Sequence, residues 1–179
     1  MTSDSIPPYI CFVGKSGCGK TTLLEKLIAI LVARGYRVAT IKHHAHPEFE
    51  IDQPGKDTWR HYQAGAAAVV IASPVKMAVV RRLEGTPPLA ELVAEVRGVD
   101  IVLVEGFSRD RTAPKVEIVR SERSTEPLHP PHAVLAYVSD LPLAGAPCFG
   151  LDDVEALADM LQARFLEDEG ASRGQSQEP

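Results

Sequence analysis

The sequence predicts an α/β fold, a mostly parallel mixed β-sheet flanked by helices in a single domain, and three observations carry that prediction. Short apolar runs, Tyr9–Val13, Ala67–Ala72 and Ile101–Val104, read as strands and alternate with stretches of helical periodicity. A glycine-rich turn, Gly14-Lys15-Ser16-Gly17-Cys18-Gly19-Lys20-Thr21, joins the first strand to the first helix. The second strand begins a few residues after that helix, so the chain opens as a βαβ unit.

Taken in order, Tyr9–Val13 is a buried strand and Thr22–Arg34 a helix whose Leu24, Leu27, Ile28 and Leu31 fall at i, i+3, i+4 and i+7. Gly35 ends that helix and Arg37–Ile41 is the second strand. Lys42–Lys56, with three histidines, two prolines and no periodicity, is a long loop, and long loops inside compact domains are usually functional. Asp57 caps a short helix through Ala64, and Gly65 closes it. Ala67–Ala72 is then a buried strand, broken by Ser73-Pro74 and followed by strand-like Val75–Arg81. So short a connection permits only an antiparallel return, which predicts a hairpin within the mixed sheet. Leu89, Leu92, Val93 and Val96 make another helical stripe, stopped by Gly98. After the strand Ile101–Val104, Val116 and Ile118 alternate with Lys115 and Glu117, Ser121–Pro131 is a polar loop, and Ala133–Val138 is again a strand. Asp152 or Asp153 caps a last helix that turns Val154, Leu157, Ala158, Leu161 and Phe165 to the core. Residues 1–8 read as an N-terminal extension, 9–168 as the domain and 169–179 as a disordered tail.

The 179 residues suffice for one domain, and 45% hydrophobic with 24% charged residues is a globular composition. A net charge of −5 argues against broad nucleic-acid binding. No apolar run approaches the roughly 18 residues of a membrane span, and the N-terminus lacks the features of a secretory signal, so a cytoplasmic location is expected. Cys11, Cys18 and Cys148 lack C-x-x-C spacing, and neither a disulfide framework nor a zinc ribbon is readable. Cys11 reads as a core residue and Cys18 as filler in the glycine-rich turn, a redox role for it being the sharper alternative.

Gly14–Thr21 fits G-x-x-x-x-G-K-[ST], the phosphate-binding loop of P-loop NTPases, in the strand-to-helix context that the pattern needs. Backbone N–H groups and the helix start would cradle a nucleotide's phosphates along Gly14, Lys15, Ser16, Gly17, Cys18, Gly19, Lys20, Thr21 and Thr22. Lys20 would reach the β/γ-phosphates and Thr21 would ligate Mg²⁺. Ligands of doubly wound folds sit beyond the carboxyl ends of the strands, which separates Glu105 from Asp100, roughly 16 Å away along the strand. If that strand runs parallel to the first, Glu105 is the Walker-B acid, and it would serve Mg²⁺ or the attacking water, Lys20 and Glu105 being the catalytic pair. A turn-capping acid is the plainer reading.

His43, His44 and His46 leave the second strand on the same rim. They fit switch or partner contacts best, with a zinc or nickel site and a solvated loop as alternatives. Asp52, Lys56 and Asp57 form a polar cluster suited either to Mg²⁺, a phosphate or a partner, or to a surface ion pair and helix cap. Asp140, in Val138-Ser139-Asp140-Leu141, either accepts from a guanine edge or begins a turn before Pro142. Arg109 and Arg111 would suit the lid of a small-molecule or nucleotide kinase, but their loop is short for a closing domain.

The order of motifs carries a resemblance over nearly all of residues 9–166. After the phosphate loop come Ile41-Lys42-His43-His44, Asp52-Gln53-Pro54-Gly55-Lys56-Asp57-Thr58, Ala64-Gly65-Ala66, Val104-Glu105-Gly106-Phe107 and Pro114-Lys115-Val116-Glu117. The chain resembles the bacterial molybdopterin-guanine dinucleotide biosynthesis protein B family. The resemblance implies a homodimeric GTP-binding accessory protein with weak Mg²⁺-dependent GTPase activity, acting with the guanylyltransferase that attaches GMP to molybdopterin. It also implies that Lys20, Thr21 and Glu105 serve nucleotide and Mg²⁺, and that the Lys42–Asp57 loop meets phosphates, molybdopterin or the partner enzyme. A kinase and a metal-delivery GTPase are the alternative functions. Lys15 makes the loop look like the deviant Walker A of dimeric ATPases, in which that lysine reaches the neighbouring subunit's nucleotide, although an exposed lysine is the favoured reading.

Overall fold

The computed structural model describes residues 6–44 and 49–167. Its elements are β1 (Tyr9–Val13), α1 (Lys20–Ala33), β2 (Val38–Lys42), α2 (Asp57–Gln63), β3 (Ala68–Ala72), β4 (Met77–Arg81), α3 (Leu89–Ala94), β5 (Ile101–Glu105), β6 (Lys115–Val119), β7 (Ala136–Ser139), β8 (Cys148–Phe149) and α4 (Val154–Phe165). The chain forms two compact units, one from the residues through His43 and from Leu89 onward, the other from His44–Pro88.

In the first unit six strands pair in the order β2-β5-β1-β6-β7-β8, every pair parallel. Parallel strands are covered on both faces, which is why β1 and β5 read as continuous apolar runs. The period of two then divides each strand between two cores. Ile10 and Phe12 join Leu24, Leu27 and Leu31 of α1 and Leu157 and Leu161 of α4. Cys11 and Val13 join Leu89 and Val93 of α3, Val102 and Val104. Burial pushes the Cys11 thiol up to about 12, so it stays neutral. At the amino end of β5, Asp100 accepts from Arg37 N at 2.7 Å and Nη2 at 2.9 Å, which gives it a structural role.

The second unit is α2 with the β3–β4 hairpin. The antiparallel return expected from Ser73-Pro74 is there, Val70 opposite Val79 and Ala72 opposite Met77. The hairpin forms its own two-stranded sheet, however, and takes no place in the six-stranded one. Nor is β3 buried: Val70 is 59% and Ile71 55% exposed, because a two-stranded sheet with one short helix lacks the layers to cover both faces. Lys56 takes the N-cap position expected of Asp57, which instead begins the helix without a side-chain capping bond. Three further expectations shift. Pro131–Ala133 is a 3₁₀ turn, so β7 starts later than expected; β8 adds an edge strand; and the alternating β6 is buried throughout. The tail at 169–179, His46 and residues 1–5 lie outside the described residues.

Candidate functional site

The loop Gly14–Thr21 is seated against β6. A Cβ at Gly14 would collide with the Ile118 carbonyl oxygen, so only glycine lets the loop lie there. Cys18 packs beneath it, 2% exposed, as a core residue. Lys20 Nζ donates to the carbonyls of Gly14 and Lys15, both at 2.9 Å, and the ammonium is held by the loop that precedes it. Gly19 is the N-cap of α1 and offers no capping side chain, and the first N–H groups of the helix have no intrahelical partner. Ser16, Gly17, Thr21 and Thr22 are exposed along this stretch.

Beside the loop, β1 and β5 pair with Phe12 opposite Glu105, the parallel register that puts Glu105 rather than Asp100 at the phosphate-loop end. Thr21 Oγ1 donates to Glu105 Oε2 at 3.1 Å, and Lys42 Nζ to Glu105 Oε1 at 3.1 Å. A hydroxyl, a carboxylate and an ammonium from α1, β5 and β2 thus meet at one point. The turn after Glu105 explains the rest of the V-E-G-F element. Gly106 has φ 102°, and a Cβ on it would lie 2.9 Å from His43 Cβ. Phe107 follows with φ 51°, its ring 4.7 Å from that of His43. His43 is therefore a packing partner of this turn, its N–H donating to Glu105 O at 2.9 Å. Arg109 and Arg111 flank Asp110, whose carboxylate accepts from Thr112 N, Thr112 Oγ1 and Ala113 N at 2.8 Å each. Partial burial raises this carboxyl, but those bonds and Lys115 outweigh it and leave it below the ordinary range. The segment is a pinned turn rather than a lid.

On the other side of the loop, the carboxyl end of β6 leads into Arg120–Ser124. Lys15 Nζ donates to Ser124 Oγ at 2.7 Å. Asp140, at the end of β7, accepts from Ser121 N at 2.8 Å and Ser121 Oγ at 2.7 Å; the hydroxyl bond first, then the amide, hold its carboxyl below the usual range. Lys15, Cys18, Glu117, Arg120, Arg123 and Ser124 line a shallow depression. Behind it, buried Glu117 accepts from His129 N and Nδ1 at 2.9 Å and from the Leu128 amide.

The remaining expected residues belong to the second unit. His44 faces Phe49 with ring centroids 5.7 Å apart. Asp52 Oδ1 accepts from Gln53 N at 2.8 Å, Lys56 N donates to Gln53 O at 3.2 Å, and Asp57 lies 3.9 Å from Arg60 in an exposed pair. These are turn and surface-pair contacts within the second unit. Among the described residues no three His, Cys, Asp or Glu side chains are placed to hold a metal ion. Sequence reading did not single out Lys42 as the partner of Glu105, nor Arg120, Arg123 and Ser124 as neighbours of the loop. Nothing local marks them, since each depends on which strand lies beside which.

A family model described as molybdopterin guanine dinucleotide synthesis protein B matches residues 9–140. The chain is 36% identical over 171 residues to the molybdopterin-guanine dinucleotide biosynthesis adapter protein of Escherichia coli K12, covering 90% of this chain and 95% of that one. It is 40% identical over 139 residues to the adapter protein of the same description from Haemophilus influenzae, covering 76% of each. A crystal structure described as molybdopterin-guanine biosynthesis protein B superposes with a TM-score of 0.68 at 32% identity, over 87% of this chain and 99% of that one.

Proposed function

The chain belongs to the molybdopterin guanine dinucleotide synthesis protein B (MobB) family, and on that premise we propose that it is a GTP-binding adapter in the making of molybdopterin guanine dinucleotide. Its partner in this reading is the guanylyltransferase that joins GMP to molybdopterin. The observation that carries the nucleotide reading is the contact of Thr21 with Glu105 at 3.1 Å, beside a lysine-bearing glycine loop.

The residues present fit Mg²⁺: a threonine hydroxyl and a carboxylate are hard oxygen donors at hydrogen-bond separation. Mg²⁺, when bound, would supply Lewis-acid charge to the phosphates. Thr21 and Glu105 would hold it, and Lys42 fixes the orientation of the Glu105 carboxylate from the neighbouring strand. Loop N–H groups bind the phosphates, and Lys20 exchanges its two carbonyl partners for β/γ-phosphate oxygens. Hydrolysis is weak in this reading, with Glu105 orienting water. Asp52 and the Lys56–Asp57 turn belong to a surface for the partner enzyme or molybdopterin.

A homodimer fits the second unit. On one face of its hairpin Val70, Val79 and Met77 are 59%, 43% and 68% exposed, an apolar surface of the kind that a second copy covers. Among the described residues no helix is long and apolar enough to cross a membrane.

The test is equilibrium binding of GTP, ATP and their diphosphates with Mg²⁺, with molecular mass followed in the same samples. GTP preference in a dimer is expected, with Lys20→Ala weakening triphosphate binding at least tenfold and Glu105→Gln reducing hydrolysis more than binding. Unchanged GTP affinity in Lys20→Ala overturns the site, and ATP preference overturns the choice of base.

A further inference from the structure

We propose that the Arg120–Ser124 turn is an arginine clamp, supplied by the same chain, for the polyphosphate of the nucleotide held on Gly14–Thr21. The inference rests on the phosphate-loop reading above and adds two residues to that site. Three observations converge on it. A Cβ built on Gly17 would lie 3.1 Å from Arg123 Nε and 3.2 Å from its Cζ and Nη2, and one on Gly19 would lie 3.9 Å from Arg120 Nη1. Both guanidiniums therefore border the glycines whose backbone turns toward a ligand in this loop type.

The two cations are also under-neutralised. Among the described residues no carboxylate pairs with Arg123. Arg120 has a loose 3.8 Å contact to Glu122, whose side chain is 72% exposed, and a through-space attraction to the Asp140 carboxylate, which Ser121 already engages. Arginine presents a fixed fork of donors that matches phosphate oxygens, and two forks beside one phosphate loop supply the charge that a polyphosphate needs.

The turn is built to hold them there. Ser121 is fixed by two bonds to Asp140, Ser124 by Lys15 at 2.7 Å, and the backbone closes on itself through Arg123 N and Ser124 N to Arg120 O at 2.8 and 2.9 Å. Lys15 thus engages its own chain, tying the phosphate loop to the clamp.

The experiment uses the full chain and displacement of a fluorescent GTP analogue by GTP and by inorganic tripolyphosphate, which has no base or ribose. Parent, Lys20→Ala, Arg120→Ala/Arg123→Ala and Arg123→Lys are compared, with thermal unfolding confirming that each variant is folded. The clamp predicts at least a tenfold loss for GTP and tripolyphosphate alike in the double alanine variant, and a smaller loss in Arg123→Lys, which keeps charge without the fork. A loss for GTP alone assigns the arginines to base or ribose and overturns the clamp. Unchanged affinities in the arginine variants, with binding lost in Lys20→Ala, overturn the clamp and leave the phosphate loop standing. Unchanged affinities in all variants overturn the phosphate-loop reading itself.

Discussion

Strands β3 and β5 have nearly the same chemistry and opposite fates. Ala68-Val69-Val70-Ile71-Ala72 and Ile101-Val102-Leu103-Val104 are both unbroken apolar runs, yet every residue of the second run is 0% exposed while Val70 and Ile71 remain more than half exposed. The difference lies in what surrounds them. β5 has β2 and β1 on its two edges and helices over both faces, whereas β3 has one partner strand and the short α2. An apolar run is thus a demand for cover, and the six-stranded unit meets it from within. The hairpin leaves that demand on its surface, where the proposed second copy would meet it.

The largest expected effect tests the first half of that contrast. Leu103→Ala removes a fully buried side chain between two layers and should cost about 2–5 kcal/mol in urea unfolding. Val70→Ala, made in the same kind of strand, should stay within about 0.5 kcal/mol at concentrations where the chain is monomeric. Equal losses would mean that β3 is covered within the single chain.

How far this contrast was legible in the sequence depends on the reach of each signal. β1 appears at Tyr9–Val13 as its pattern predicts, and Glu105 rather than Asp100 reaches the phosphate loop because the pairing is parallel, the condition on which the sequence reading depended. Those signals are local or follow from the direction of one strand. Lys115 and Glu117 misled for the opposite reason. Alternation is the ordinary mark of a half-solvated strand, but β6 lies between β1 and β7, and both charges are buried. Lys115 Nζ donates to the carbonyls of Asp110 and Ala113, and Glu117 accepts from residues 128 and 129. Such partners arrive from segments that no periodicity connects, as do Lys42 for Glu105 and Arg123 for Gly17.

The second half of the contrast is tested by charging the open face. Val70→Glu with Val79→Glu puts like charges on a directly opposed cross-strand pair and on the surface that a second copy would cover. The dissociation constant of the dimer should rise at least a hundredfold in sedimentation experiments, with nucleotide affinity nearly unchanged. A variant that keeps the parent's mass at low concentration would place the association elsewhere.

A smaller effect is expected at Gly106, where backbone and packing act together. Gly106→Ala should cost about 1–3 kcal/mol, since φ 102° is unfavourable for alanine and its Cβ would press on His43. His43→Gly in the same chain relieves the contact but not the backbone term, so unfolding should recover part of the loss. Full recovery would assign the whole cost to the contact.

The smallest effect concerns acid. Asp140 is solvent-accessible, and the Ser121 hydroxyl and amide favour its ionised form, so its carboxyl titrates below the unfolded value near 4. A depressed carboxyl stabilises the fold above the unfolded value, and that contribution is lost as pH falls through the folded one. Between pH 5 and 8 the parent should therefore unfold at a slightly higher temperature than Asp140→Asn, by a constant margin. Below pH 4 the margin should shrink as the parent's carboxylate takes up its proton, because the amide of the variant does not titrate. A margin that stays constant down to pH 2.5 would show that Asp140 holds the Arg120–Ser124 turn equally well without its charge, and the turn's rigidity would then rest on Lys15 and Ser124.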